Sequence, residues 1–294
     1  MPFCGQPGLD CRRAFRIAPR CNRANLCNFY RMPSAPTFLL RHVALVTRDL
    51  NRLLPFYRDT LGLIARRPDA RTLTLHFSAD TPAVITFTED PTALEPTERV
   101  AGLFHIAILV PDRPTLAAVL ARLIERHQPI EGLSDHGVSE AIYLSDPDGN
   151  GIEIYRDRPR AEWPMAGDQV AMVTGAVDHR GLLRELPSPA PVAPLAHATF
   201  GHIHLSVTAI APAKKFYTGE LGLAVRQDTY PSALFMAADG YHHHVAVNVW
   251  GDPAPRGAAH RTGLTSFTAA TSRVTAPRTL TDADGIRVTL EPLR

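Results

Sequence analysis

The chain has 294 residues, 45% of them hydrophobic and 20% charged, with a formal net charge of +2. That length suits two average domains or one large one, and the composition excludes a collagen-like or wholly disordered chain. No apolar run approaches the ~18 residues of a membrane span, and the charge is uneven. Arg12, Arg13, Arg16, Arg20, Arg23 and Arg31 face one acid, Asp10, in the first segment. The rest is mildly acidic, with no basic footprint for nucleic acid.

Cys4, Cys11, Cys21 and Cys27 also lie in that first segment, with six, nine and five residues between them. Structural zinc sites pair cysteines more closely. The body beyond Cys27 has no cysteine and folds without disulfides, which suits a reducing cytoplasm. Residues 1–36 read as a disordered N-terminal extension.

Four related units follow. His42…Phe56-Tyr57…Leu61-Gly62-Leu63 returns as His202…Phe216-Tyr217…Leu221-Gly222-Leu223, and Gly102-Leu103-Phe104-His105 returns as Gly263-Leu264-Thr265-Ser266. The starts fall near 38, 102, 199 and 263, as two tandem pairs with the same 64-residue offset. Within the units, 42–47, 105–110, 72–77, 84–88, 141–144, 151–155, 233–237 and 244–250 carry the apolar, β-branched pattern of strands. Residues 114–127 carry a helical pattern, with Pro114 in the first turn and Arg126 and His127 at the carbonyl end. The spacings predict domains at 37–158 and 199–294, joined by a proline-rich spacer over 159–198. The fourth unit is short, with no helical pattern before Asp282.

Three residues stand out on these strands. Alternate strand residues share a face, so His202, His204 and Ser206 point one way. Glu153 is flanked by Ile152 and Ile154, and His105 by Phe104 and Ile106. A buried carboxylate or imidazole without partners costs roughly several kcal/mol, so such groups require an ion or a hydrogen-bond network. The run His136…Tyr143…Asp146-Pro147…Gly149…Glu153 sets a turn between two strands, with Tyr143 and Glu153 on neighbours.

The paired strand–helix–three-strand units resemble the vicinal oxygen chelate superfamily of glyoxalases, bleomycin-resistance proteins and extradiol dioxygenases. The run from His136 to Glu153 is similar to the extradiol dioxygenase signature. The resemblance implies an α+β fold of tandem βαβββ modules forming half-barrels, the fourth truncated. It implies a metal held by His105, Glu153 and one first-strand histidine of a partner unit. That partner is His202 if units two and three close together, and His42 if units one and two do. His202 is preferred, because unit three also offers His242, His243 and His244. Two imidazoles and a carboxylate suit Fe(II), with Mn(II) as an alternative.

The implied activity is extradiol cleavage of a catechol-type diol with O2. Tyr143, His136, His243 and His244 then move protons. The expected setting is bacterial aromatic catabolism in the cytoplasm, by a homodimer without nucleic-acid or membrane partners. A metal-dependent lyase of glyoxalase type and a non-catalytic small-molecule-binding module are the rival readings. Asn248 stands where a glyoxalase-type site would place a second Glu, and Ser266 and Thr289 leave units three and four without a ligand set.

Overall fold

The computed structural model describes residues 35–257 and 260–293. Apart from 35 and 36, the extension read over 1–36 and its cysteines lie outside the described residues. Module one is strand β1 (Phe38–Thr47), helix α1 (Leu50–Leu54) continued by a wider helical turn (Pro55–Thr60), and strands β2 (Ile64–Asp69), β3 (Thr72–His76) and β4 (Ile85–Glu89). Module two is β5 (Gly102–Leu109), α2 (Arg113–Glu125), β6 (Gly132–Asp135), β7 (Ser139–Ser145) and β8 (Gly151–Asp157). The α2 start follows from sequence: the Asp112 carboxylate accepts the Thr115 N–H at 2.8 Å and Pro114 sits in the first turn.

The segment read as a spacer is structured. It carries β9 (Met165–Ala166), β10 (Gln169–Val170), β11 (Gly175–Ala176) and helix α3 (His179–Arg184). Its Trp163, Val170 and Met172 are buried, and β11 pairs with β6. Apolar side chains spaced between the prolines anchor it to the core.

Module three is β12 (Thr199–Ser206), α4 (Ile210–Gly219), β13 (Ala224–Gln227), β14 (Ala233–Ala237) and β15 (Val245–Asn248). Module four is β16 (Gly263–Thr271), β17 (Arg278–Thr281) and β18 (Arg287–Pro292), and no helix intervenes between β16 and β17. Among the described residues no helix is long and apolar enough to cross a membrane.

The strands form two large curled sheets. One runs β11-β6-β7-β8-β5-β12-β15-β14-β13 and the other β17-β18-β16-β1-β4-β3-β2. Module two is thus joined to module three through β5 and β12, and module one to module four through β1 and β16. Both sheets cross the boundary between 37–158 and 199–294, and residues 36–294 pack as one unit.

The two modules of each tandem pair are tied differently. The Tyr57 hydroxyl donates to the Asp146 carboxylate at 2.8 Å, and the Tyr217 hydroxyl donates to Asp282 at 2.8 Å. Each aspartate also organises its own turn. Asp146 accepts the N–H groups of Asp148 and Asn150, and Asp282 those of Asp284 and Ile286. The turns close on Gly149 (φ 81°) and Gly285 (φ 84°), a conformation that favours glycine. The tyrosine of the repeated Phe-Tyr pair is therefore a clasp between modules.

Candidate metal centre

Three adjacent strands of the nine-stranded sheet, β8, β5 and β12, bring His105, Glu153 and His202 together. Ala107 on β5 lies opposite Glu153 on one side and His202 on the other. Its methyl group leaves the space between them open, and His105 precedes it by two residues on the same face. β8 passes so close to β5 that a Cβ on Gly151 would collide with the Phe104 carbonyl, so glycine is required there.

The donor atoms form a tight triangle. His105 Nε2 lies 3.0 Å and His202 Nε2 3.1 Å from Glu153 Oε2, and the two imidazole nitrogens are 3.3 Å apart. All three side chains are buried, and the group can hold a metal ion. Neighbouring donors of a six-coordinate divalent cation, with bonds of about 2.1 Å, lie about 3 Å apart. Burial alone raises the Glu153 carboxyl, but His202 and His105 outweigh it and hold it well below the usual carboxylate range. Burial pushes His202 down to about 4, against the pull of Glu153, so its ring is neutral. An ionised carboxylate beside a neutral imidazole is the protonation state that a cation requires. His202 Nδ1 is buried without a hydrogen-bond partner among the described residues. The His243 ring lies over it at 4.0 Å between centroids.

Beside the triangle, lined by its His105 and Glu153, is a pocket of about 390 Å³, large enough for a one-ring ligand. Phe104, Met172, Tyr230, Phe235 and Trp250 supply its apolar wall. Tyr143 pairs directly with Glu153 across β7 and β8. Burial, then the Glu153 charge, raises its phenol well above the usual value, so the hydroxyl keeps its proton. His136 Nδ1 lies 2.7 Å from the Val173 carbonyl and its Nε2 2.8 Å from the Tyr143 hydroxyl. The carbonyl accepts only, so in the neutral ring Nδ1 carries the proton and Nε2 accepts from Tyr143.

The histidine run divides by direction. His242 Nε2 lies 2.9 Å from an Asp157 oxygen, and its Nδ1 lies 2.8 Å from Nδ1 of His243. With Asp157 accepting from His242, His243 must donate through Nδ1, which leaves its Nε2 an acceptor. His243 lines the pocket. His244 does not. Its Nδ1 accepts the Ala238 N–H at 3.2 Å, and its ring packs against Tyr241 and Phe38. The expectation that His244 handles protons at this site is therefore corrected, because its ring is engaged by Ala238, Tyr241 and Phe38 and does not line the pocket.

His42 is also elsewhere. It lies on β1 in the seven-stranded sheet, with Nε2 2.8 Å from the Thr86 hydroxyl. Module pairing excludes it from the triangle.

Sequence reasoning gave no site role to three contributors, His204, Met172 and Thr174. His204, on the face of His202, packs 4.9 Å from His105 between ring centroids, and its Nε2 accepts from the Asn248 amide at 2.9 Å. The i, i+2 spacing from His202 was the signal. Met172 and Thr174 reach the pocket from the supposed spacer. The Gln227 side chain holds both backbone groups of Met172, and the Thr174 hydroxyl lies 2.8 Å from that of Tyr230. No local pattern announces these contacts.

Comparison with known proteins agrees with this architecture. Residues 39–154 match the Glyoxalase/Bleomycin resistance protein/Dioxygenase superfamily. A catechol-2,3-dioxygenase of Bacillus subtilis (strain 168) is 44% identical over 232 residues, covering 77% of this chain and 80% of that protein. The chain belongs to this superfamily. Among solved structures, a putative dioxygenase from Bacillus subtilis superimposes with a TM-score of 0.56 at 14% identity, covering 88% of this chain and 86% of that one. Glyoxalase I from Zea mays gives 0.52 at 13% identity, with 87% and 92% covered. At such identities these two speak for the superfamily fold alone.

Proposed function

We propose that the protein is an Fe(II)-dependent extradiol dioxygenase that opens a catechol-type aromatic diol with O2. The carrying observation is the buried triangle of His105, Glu153 and His202, of which His105 and Glu153 line a pocket large enough for one ring. The kinship with a catechol-2,3-dioxygenase supports the reaction class. Both oxygen atoms of O2 enter the product. The ring bond beside one hydroxyl-bearing carbon breaks, giving a ring-opened semialdehyde or an equivalent muconic derivative.

When bound, Fe(II) in a two-imidazole, one-carboxylate set supplies open positions for small ligands and one-electron redox chemistry; Mn(II) suits the same donors. The rest falls to the chain. Tyr143 keeps its proton, which it donates to His136 Nε2 until a substrate oxygen takes over that hydrogen bond. The acceptor Nε2 of His243 takes a proton from a diol hydroxyl. Phe104, Phe235 and Trp250 flank the ring, orient it and keep water out. The register corrects the expectation for Asn248, which pairs with Ser206: Ala246, opposite His204, stands in module three where Glu153 stands in module two, so no second carboxylate completes a four-ligand lyase site. The shortened module four favours assembly as a homodimer.

Anaerobic loading with Fe(II), then catechol and oxygen, tests the activity. The expected result is a yellow ring-opened product with one O2 consumed per diol. Iron bound in full, with no absorbance change across a panel of substituted catechols, overturns it.

A further inference from the structure

A second cavity of about 640 Å³ adjoins the pocket and shares Phe104, His105, Glu131 and Tyr143 with it. Arg99, Arg256 and Arg261 stand on its walls. Arg99 lies over the Phe104 ring, 5.9 Å from its centroid. The other two are unusual. Both are half-buried, yet among the described residues neither has a carboxylate within ion-pair distance, and Arg261 Nε is buried with no hydrogen-bond partner. Burial pushes the Arg256 guanidinium down, and Arg287 adds to the effect while Asp282 opposes it. Asp282 is committed to Tyr217 and to its own turn. Asp148, also on the wall, is held by Thr47 and Arg52, while Glu98 and Glu131 are exposed.

Buried guanidinium without a counter-charge is costly, and guanidinium is well shaped to receive a carboxylate. Its place is informative. Arg256 Nη1 lies 3.9 Å from where a Cβ on Gly102 would stand. Gly102 precedes His105 by three residues on β5, about 10 Å along the strand. A ring seated at the triangle reaches that far with a short side arm.

We propose that the substrate ring carries a carboxylate on a short arm, and that Arg256 and Arg261 bind it in this second cavity. The inference rests on the aromatic-diol reading and adds the substituent that the diol bears.

The test separates the two. The metal-free full-length chain is titrated calorimetrically with 3-phenylpropanoate and with 3-phenylpropan-1-ol, neither of which has a diol to ligate. The acid is expected to bind at least about tenfold more tightly, the strength of a charge-assisted pair. That preference is expected to vanish in the Arg256→Gln/Arg261→Gln variant, whose fold is checked by its unfolding midpoint. In the wild type, the preference is expected to shrink between about 50 and 500 mM salt. Equal binding of acid and alcohol, no binding of either, or a salt-independent preference overturns the inference. A preference that survives in the double variant overturns it as well. None of these results bears on ring cleavage by the iron-loaded protein, which the catechol assay decides alone.

Discussion

The two sheets are built to one plan and differ in what they carry. In the nine-stranded sheet, Ala107 is paired with Glu153 and His202, and His105 with Gly151. In the seven-stranded sheet, Thr268 is paired with Thr289 and His42, and Ser266 with Arg287. The registers coincide, so His42 stands where His202 does, Ser266 where His105 does, and Thr289 where Glu153 does. One ligand of three survives there, and Thr268 fills the gap that Ala107 leaves. A shared backbone therefore provides the positions, and side-chain identity alone decides which half holds donors.

Removing a donor gives the largest expected effect. Glu153→Gln should weaken iron binding by at least about a hundredfold, since even outer partners of metal ligands are worth 10–100-fold. His42→Ala should leave bound iron unchanged by metal analysis. Equal iron content in the two variants breaks the contrast between the sheets. The reciprocal construction adds a site: Ser266→His, Thr268→Ala and Thr289→Glu together should raise bound divalent cation by one equivalent per chain. Next in size, Tyr143→Phe should lower kcat by about 10²–10⁴-fold, the range of a positioned proton donor, with iron content unchanged.

The clasps offer a comparison in which the halves should agree. Tyr57→Phe and Tyr217→Phe each leave a buried aspartate short of a donor, so each should cost about 1–3 kcal/mol in urea unfolding. A large inequality would show that the two ties are not equivalent. The smallest effect concerns Glu140 on β7, which accepts from Arg113 and Arg156. Burial raises its carboxyl, and the two arginines outweigh that and lower it. A lowered folded-state value gives stability that is complete above the unfolded value, about pH 4.5, and is lost as pH falls below it. The wild type should therefore lose more stability than Glu140→Gln between about pH 5 and 3, read by thermal midpoint.

Much of this was legible in the chain. The repeat of His42-to-Leu63 in His202-to-Leu223 is a local pattern and marks the modules. The run from His136 to Glu153 sets a turn and two strands, and so shows which residues share a face. The absent helix of module four was readable from its missing periodicity. Which modules share a sheet was legible only as a preference for two with three, drawn from the resemblance and the histidines at 242–244, because β5–β12 and β1–β16 pairing joins residues about a hundred or more positions apart and leaves no local signal. The same holds for Met172 and Thr174, whose roles depend on Gln227 and Tyr230. Three consecutive histidines gave no sign of their directions, since tertiary partners, Asp157 for His242 and the Ala238 N–H for His244, decide that His243 faces the pocket and His244 does not.

The combination of sheet pairing and clasps has a topological consequence. Sheets tie two to three and one to four, while tyrosines tie one to two and three to four, so the modules form a closed ring of four contacts. The 159–198 connection is the only covalent passage between the two tandem pairs. A chain cut there would still present complementary strand edges, β1 and β5 on one fragment, β16 and β12 on the other. Reassembly of two separately made fragments is thus written into the architecture, and neither fragment alone owns all three donor atoms.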